Sequence, residues 1–346
     1  MASKPVPPPE ERDLGLMFYY TDTDPLGGII KKEPEDFIVA EISDDPREEA
    51  AGPYTIAKIR SRNWETNRLV RAFSKNFGIS RKQIKFAGTK DKRAVTTQLF
   101  SFRLEPEALD DLSLADVEVL SRYRSNRELE LGYLMGNSFH IRIRDMQKKK
   151  QEIEEIARDT MNELVSTGGF PNYFGVQRFG VIRPITHLVG KHILHGRLKE
   201  AVMTYVGQPM QLEESEIRSA RERIEVEMDF QEAVDYYPAN FLFERSMIHH
   251  LKRKPDDWAG ALDQLPDNLK MMFVHAYQSY LFNMILSERI KRSIPLNEPI
   301  PGDLVLPLNK KGLPDHYNPV EVNPSNMKAM TGLVNDRKGF VSALIA

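Results

Sequence analysis

Residues 84–104 read IKFAGTKDKRAVTTQLFSFRL, and the alternation of extended and turn-forming residues in this stretch decides the fold class. The chain is extended through IKFAG, breaks at Gly88, and resumes as a strand from Ala94 to about Leu104. Phe100, Phe102 and Leu104 alternate there, as expected of a sheet with one buried face. Just upstream, Leu69, Val70, Phe73 and Phe77 follow a helical period from Thr66, and Gly78 stands where a C-terminal cap belongs. Ser80 and Gln83 have the spacing of a capping box. Further upstream, KKEPEDFIVAE (residues 31–41) is a turn at Pro34 followed by a strand with Phe37 and Val39 on one face, and another strand covers Tyr54 to Ile59.

Downstream, the spacing in GNSFHIRIRD (residues 136–145) predicts an extended segment with Phe139, Ile141 and Ile143 facing the core and His140, Arg142 and Arg144 facing outward. A helical stripe of Ile153, Ile156, Thr160 and Leu164 then runs to Gly168-Gly169. Strands and helices thus alternate over the first 170 residues, the order of an α/β or α+β body. After FPNYFGVQRFG (residues 170–180), helical periodicity dominates, from Leu188 to Val202 and from Met271 to Ile290. A second, helix-rich unit is therefore expected over about 183–320.

Composition narrows the function less than the local pattern does. The 346 residues, 41% hydrophobic and 28% charged, describe a folded protein large enough for two domains. There is no cysteine, so thiolate metal sites and disulfides are excluded. The opening MASKPVPPPEERD has no apolar core suited to a signal sequence and reads as a short mobile start. No stretch has the unbroken apolar length of a membrane span, and a cytoplasmic location is expected. Net charge is only −2, but twelve Lys or Arg against Glu65 and Asp91 lie between Lys58 and Arg93. Such local excess attracts polyanions; a solvated helix face would show the same letters.

The sharpest chemical feature is FAGTKDKRAVTTQ, residues 86–98. Asp91 follows a glycine-broken turn, flanked by Lys90, Lys92 and Arg93, surroundings that favour the ionised carboxylate. A rigidly held carboxylate can act as nucleophile or base toward a sugar or pyrimidine carbon; a surface turn with a self-paired aspartate is the plainer alternative. The glycine here lacks the spacing of a phosphate-binding P-loop, and no HExxH helix or ligand-spaced histidine cluster is present. Asn137 and Phe139 share a strand face, and an amide with a ring would suit a flipped base, as a turn-forming Asn beside a buried Phe would also explain. Lys31 offers a cation. Gln177 and Arg178 lie among aromatics that can stack on bases or fill a core.

Six segments occur in one order: GGIIKKEPEDFIVAEI, FAGTKDKRAVTTQ, MGNSFHIRIR, FPNYFGVQRFG, HAYQSYLFN and PGDLV, from Gly27 to about Val305. In these the chain resembles the TruD family of tRNA pseudouridine synthases, in its archaeal-type form. The resemblance implies a pseudouridine synthase core, a mixed sheet flanked by helices, with a helix-rich α/β inserted domain that helps form an RNA cleft. The boundaries follow as a catalytic body over 1–182, the inserted domain over 183–320 and a return toward the body over 321–346. It implies a cofactor-free, metal-free isomerisation of uridine in tRNA, usually uridine 13, by a protein that is monomeric. Asp91 takes the catalytic role, Lys31, Asn137 and Phe139 support the active site, and Lys90, Gln177, Arg178 and Asn283 are further candidates for pocket or RNA contacts, Asn283 also fitting a structural amide. The family usually ends in a motif like LPxGSYATxxLRE, whereas this sequence ends in NPSNMKAMTGLVNDRKGFVSALIA. On that ground an apparent truncation, and with it a catalytically impaired tRNA-binding protein or RNA chaperone, is the alternative. A methyltransferase would need a glycine loop for S-adenosylmethionine, and none is evident.

Overall fold

The computed structural model describes residues 6–310 and 312–342. The first five residues of the expected mobile start, and the last four of the expected return segment, lie outside the described residues. By packing the chain forms two compact units, Pro25–Glu155 and Met1–Asp24 with Ile156–Ala346. In chain order the elements are α1 (Pro9–Arg12), β1 (Phe37–Ser43), β2 (Tyr54–Arg62), α2 (Thr66–Phe77), β3 (Ile84–Phe86), β4 (Val95–Phe102), β5 (Val117–Ser125), β6 (Leu134–Ile141) and α3 (Lys150–Ser166). Then follow α4 (Thr186–Leu194), α5 (Leu198–Val206), α6 (Ser215–Glu227), α7 (Phe230–Tyr236), α8 (Leu242–Arg253), α9 (Trp258–Leu262), α10 (Asp267–Lys291), β7 (Leu304–Pro307), β8 (Val320–Glu321), α11 (Met327–Asn335) and β9 (Gly339–Ser342).

Within Pro25–Glu155 the strands form a mixed sheet in the order β5-β2-β4-β1-β6, with β3 also paired to β4. The β1–β4 pair is parallel, and the other pairs are antiparallel. Helix α2 starts where Glu65 accepts from the Asn67 and Arg68 amides, and ends at Gly78 in the left-handed region, φ 65°. Its apolar stripe seals the sheet: Phe73 meets the rings of Phe100 and Phe102 at 5.3 and 5.4 Å, edge-on.

Two strand readings change in three dimensions. Strand β4 was expected to bury one face, yet Leu99, Phe100, Ser101 and Phe102 are all buried. As the central strand it packs Phe100 and Phe102 against α2 and Leu99 against Ile56 and Leu129 on the reverse face. Phe139 and Ile141 were expected to face the core but are 53% and 45% exposed. They lie on edge strand β6, beyond the reach of the α2 core. Arg144, expected outward, instead donates from Nε to Asp36, a carboxylate with no exposed surface.

The other unit is built around α10 and its neighbour α4. A Cβ on Gly190 would lie 2.0 Å from the Phe273 carbonyl oxygen, so only glycine permits this helix crossing. The helical period from Leu188 to Val202 is split into α4 and α5, because Gly196 adopts φ 69° between them. Arg221, 2% exposed, donates to Glu213, Glu244 and the Tyr237 hydroxyl. Strands β8-β7-β9 make a small separate sheet. Among the described residues no helix is long and apolar enough to cross a membrane.

Candidate active site at the head of the central strand

The loop that carries Lys31 is tied down on both sides. Gly28, at φ 94°, must be glycine, because a Cβ would meet the Arg144 carbonyl oxygen and Ile143 Cγ2 at 2.7 Å. That closeness lets Ile29 and Arg144 exchange backbone hydrogen bonds of 2.8 and 2.9 Å. A turn at Pro34–Asp36 follows, closed by the Glu33 amide donating to Asp36 at 3.0 Å. Between these anchors Lys31 adopts φ 55°, a conformation that costs a non-glycine residue energy.

The loop that carries Asp91 joins β3 to β4 and is also fixed. The Lys90 amide donates to Thr66 Oγ1 at 2.8 Å, and Gln98 Nε2 donates to the Gly88 carbonyl at 3.4 Å. Lys90 turns inward, and its Nζ donates to Glu41 at 2.6 Å with the two side chains 3% and 1% exposed. Its ammonium is therefore occupied inside the unit, away from solvent. Asp91 turns the other way and accepts from Lys31 Nζ at 3.0 Å, with the side chains 42% and 26% exposed. Arg93 clamps the two loops by donating to the Lys32 carbonyl.

Aromatic rings extend the pair. Lys31 Nζ sits 3.9 Å from the centroid of the Phe37 ring, a cation–π contact, and Phe37 meets Phe139 edge-on at 5.8 Å. Asn137 is two residues before Phe139 on β6 and pairs in register with Glu41. Its Oδ1 is buried with no hydrogen-bond partner among the described residues. The fold thus brings Lys31, Asp91 and Phe139 into one contact chain and places Asn137 beside it. Two members were not singled out from sequence, Phe37 and Glu41. Glu41 carried a usable signal, because the alternation that turns Phe37 and Val39 inward also turns in residue 41, and a carboxylate there demands a cation.

Gln177, Arg178 and Asn283 belong to the other compact unit. Gln177 is exposed. Arg178 Nε donates to Ser279 Oγ at 3.0 Å. Asn283 is fully buried on α10, accepting from the Phe174 amide at 2.9 Å and donating to the Leu14 and Phe174 carbonyls at 2.9 and 3.0 Å. With every polar atom engaged, it is a clamp holding two chain segments to α10.

A family model described as tRNA pseudouridine synthase D (TruD) matches residues 13–346. A protein of Methanosarcina barkeri named "Probable tRNA pseudouridine synthase D" is 42% identical over 97% of this chain and 77% of its own length. One of the same name from Methanococcoides burtonii is 43% identical over 97% of this chain and 76% of its own. The crystal structure of the TruD protein of Methanosarcina mazei superposes with a TM-score of 0.87 at 41% identity, over 96% of this chain and 76% of that one. The chain belongs to the TruD family of tRNA pseudouridine synthases.

Proposed function

We propose that this protein isomerises uridine to pseudouridine in tRNA, at uridine 13, with Asp91 as the catalytic carboxylate. The observation that carries the reading is the 3.0 Å Lys31–Asp91 pair, open to solvent and set against the Phe37 and Phe139 rings. Isomerisation breaks the bond from N1 of uracil to C1′ of ribose and joins C5 to C1′, so no group carrier or oxidant is needed. The target must leave the base stack, and Phe139, half exposed on an edge strand, offers a ring on which the uracil stacks. Asn137, on the same strand and two residues before Phe139, orients the surroundings of the base.

In the route we favour, Asp91 removes the 2′ proton as the glycosidic bond breaks, leaving a glycal and a uracil anion. The base turns over, C5 adds to C1′, and the proton returns to C2′ while the C5 proton is lost. Lys31, 3.0 Å away, holds the Asp91 carboxylate aimed for the first step. The sealed Lys90–Glu41 pair keeps the loop from drifting, which matters because misplacement by about 1 Å can cost on the order of 100-fold in rate. In this reading the sheet unit is the catalytic body, the helical segment supplies the RNA cleft, and the protein works as a cytoplasmic monomer.

Site-resolved pseudouridine mapping of tRNA after incubation with the purified chain, with Asp91→Ala in parallel, tests the proposal. New pseudouridine at one site, absent with the variant, is expected. Unchanged uridines in a tRNA that the folded chain binds would refute catalysis and leave a tRNA-binding protein. Deuterium at C2′ should slow the reaction if the glycal route holds and leave it unchanged if Asp91 attacks carbon instead.

A further inference from the structure

A concave pocket of about 520 Å³ in the helical unit plays no part in the chemistry above. One wall is α10, which presents His275, Gln278, Ser279 and Phe282, a spacing of three, four and seven residues that puts them on one helix face. The other wall is the segment before α4, with Phe174 and Arg178.

Arg178 is held rather than loose. Ser279 Oγ accepts from its Nε at 3.0 Å and donates its own proton to the His275 carbonyl at 2.8 Å. The guanidinium lies 5.7 Å from the centre of the Phe174 ring, and Phe174 in turn meets Phe282 edge-on at 5.5 Å. Other partly or fully buried arginines of the unit are consumed by the protein: Arg221 by Glu213 and Glu244, Arg289 by Asp303, Arg183 by backbone carbonyls. Among the described residues Arg178 has no carboxylate partner. A positioned, uncompensated guanidinium beside a histidine, a glutamine amide and two rings is suited to a phosphate with an adjoining base.

We propose that this pocket binds one phosphodiester of the RNA backbone on Arg178, with the neighbouring base against the Phe174 and Phe282 rings. The inference rests on the tRNA reading above and assigns a binding contact to the helical unit. Removing one phosphate contact weakens binding across RNA sequences alike and reduces its salt dependence.

The test is fluorescence anisotropy of a labelled tRNA transcript with the full chain over about 50–200 mM salt. Arg178→Gln should raise Kd about ten-fold and lower the slope of log Kd against log salt by about one. Gln278→Glu, a same-size change at an exposed position, should weaken binding by placing a carboxylate opposite Arg178, and it decides the matter if Arg178→Gln melts early. Arg218→Gln, on the exposed side of α6, should leave the slope alone. If Gln278→Glu and a folded Arg178→Gln both bind like the parent, or the parent does not bind tRNA, the site is overturned. Pseudouridine mapping in the same samples separates the two proposals: a parent that makes pseudouridine yet ignores Arg178 refutes the site alone, and one that binds through Arg178 but makes none refutes the activity alone.

Discussion

Lys90 and Asp91 are neighbours in sequence, yet each enters an ion pair of opposite character. Lys90–Glu41 is shut away, with side chains 3% and 1% exposed, whereas Lys31–Asp91 is open, at 26% and 42%. Burial raises the cost of losing one partner, because the survivor is a charge without solvent or counter-ion. An exposed pair stabilises the fold little, and its carboxylate remains accessible to a substrate. Contact geometry alone therefore does not mark a reactive group: both pairs are short, and solvent access separates anchor from chemistry.

Asp91→Ala should lower the rate of pseudouridine formation by about 100- to 10,000-fold, the usual worth of a positioned base, while the melting temperature stays within a few degrees. Lys90→Met should do the reverse to stability, costing about 3–5 kcal/mol in chemical denaturation, and Lys90→Met with Glu41→Leu together should recover most of that loss. If the double variant is as unstable as the single one, the pair is not the anchor described here.

A third mode of burial sharpens the contrast. Among the described residues His187 in the helical unit has no counter-ion and its Nδ1 is unpartnered; its ring stacks on Tyr280 at 5.0 Å. Burial, aided by Lys191, pushes its pKa down from 6.5 to about 4. The unfolded chain therefore takes up a proton first as pH falls, so this contribution to stability is intact above pH 6.5 and is lost progressively toward pH 4. The loss should approach about 3 kcal/mol, and His187→Phe should flatten this part of the stability–pH curve measured by denaturant melts. The smallest effect belongs to Lys31→Ala, which should change stability by under about 1 kcal/mol but slow single-turnover catalysis by roughly 10- to 100-fold. A large stability loss there would collapse the distinction between the two pairs.

Much of this arrangement was legible in the residues. The α2 stripe, its Gly78 cap and the Ser80–Gln83 box occur as the spacing requires, because each is set by neighbours within a few positions. What depends on strand order was not legible. The sequence alternation in β6 promised burial for Phe139 and Ile141, but a strand's inward face is buried only if something packs on it, and β6 is an edge. Likewise the letters of Gly88 to Asp91 could not say which of Lys90 and Asp91 faces inward, since that is settled by Glu41, half a hundred residues away. Asn283 reads as a polar helix residue and becomes a clamp only when the Leu14 and Phe174 carbonyls arrive beside it.

The opposed directions of Lys90 and Asp91 also fix the length of the loop that carries them. Counted from Gly88, inserting one residue before Lys90 would move the lysine out of the sealed space, and deleting one would set the Asp91 carboxylate there against Glu41. Two like charges would then share a site with almost no water. The loop should tolerate many changes of letter and no change of count.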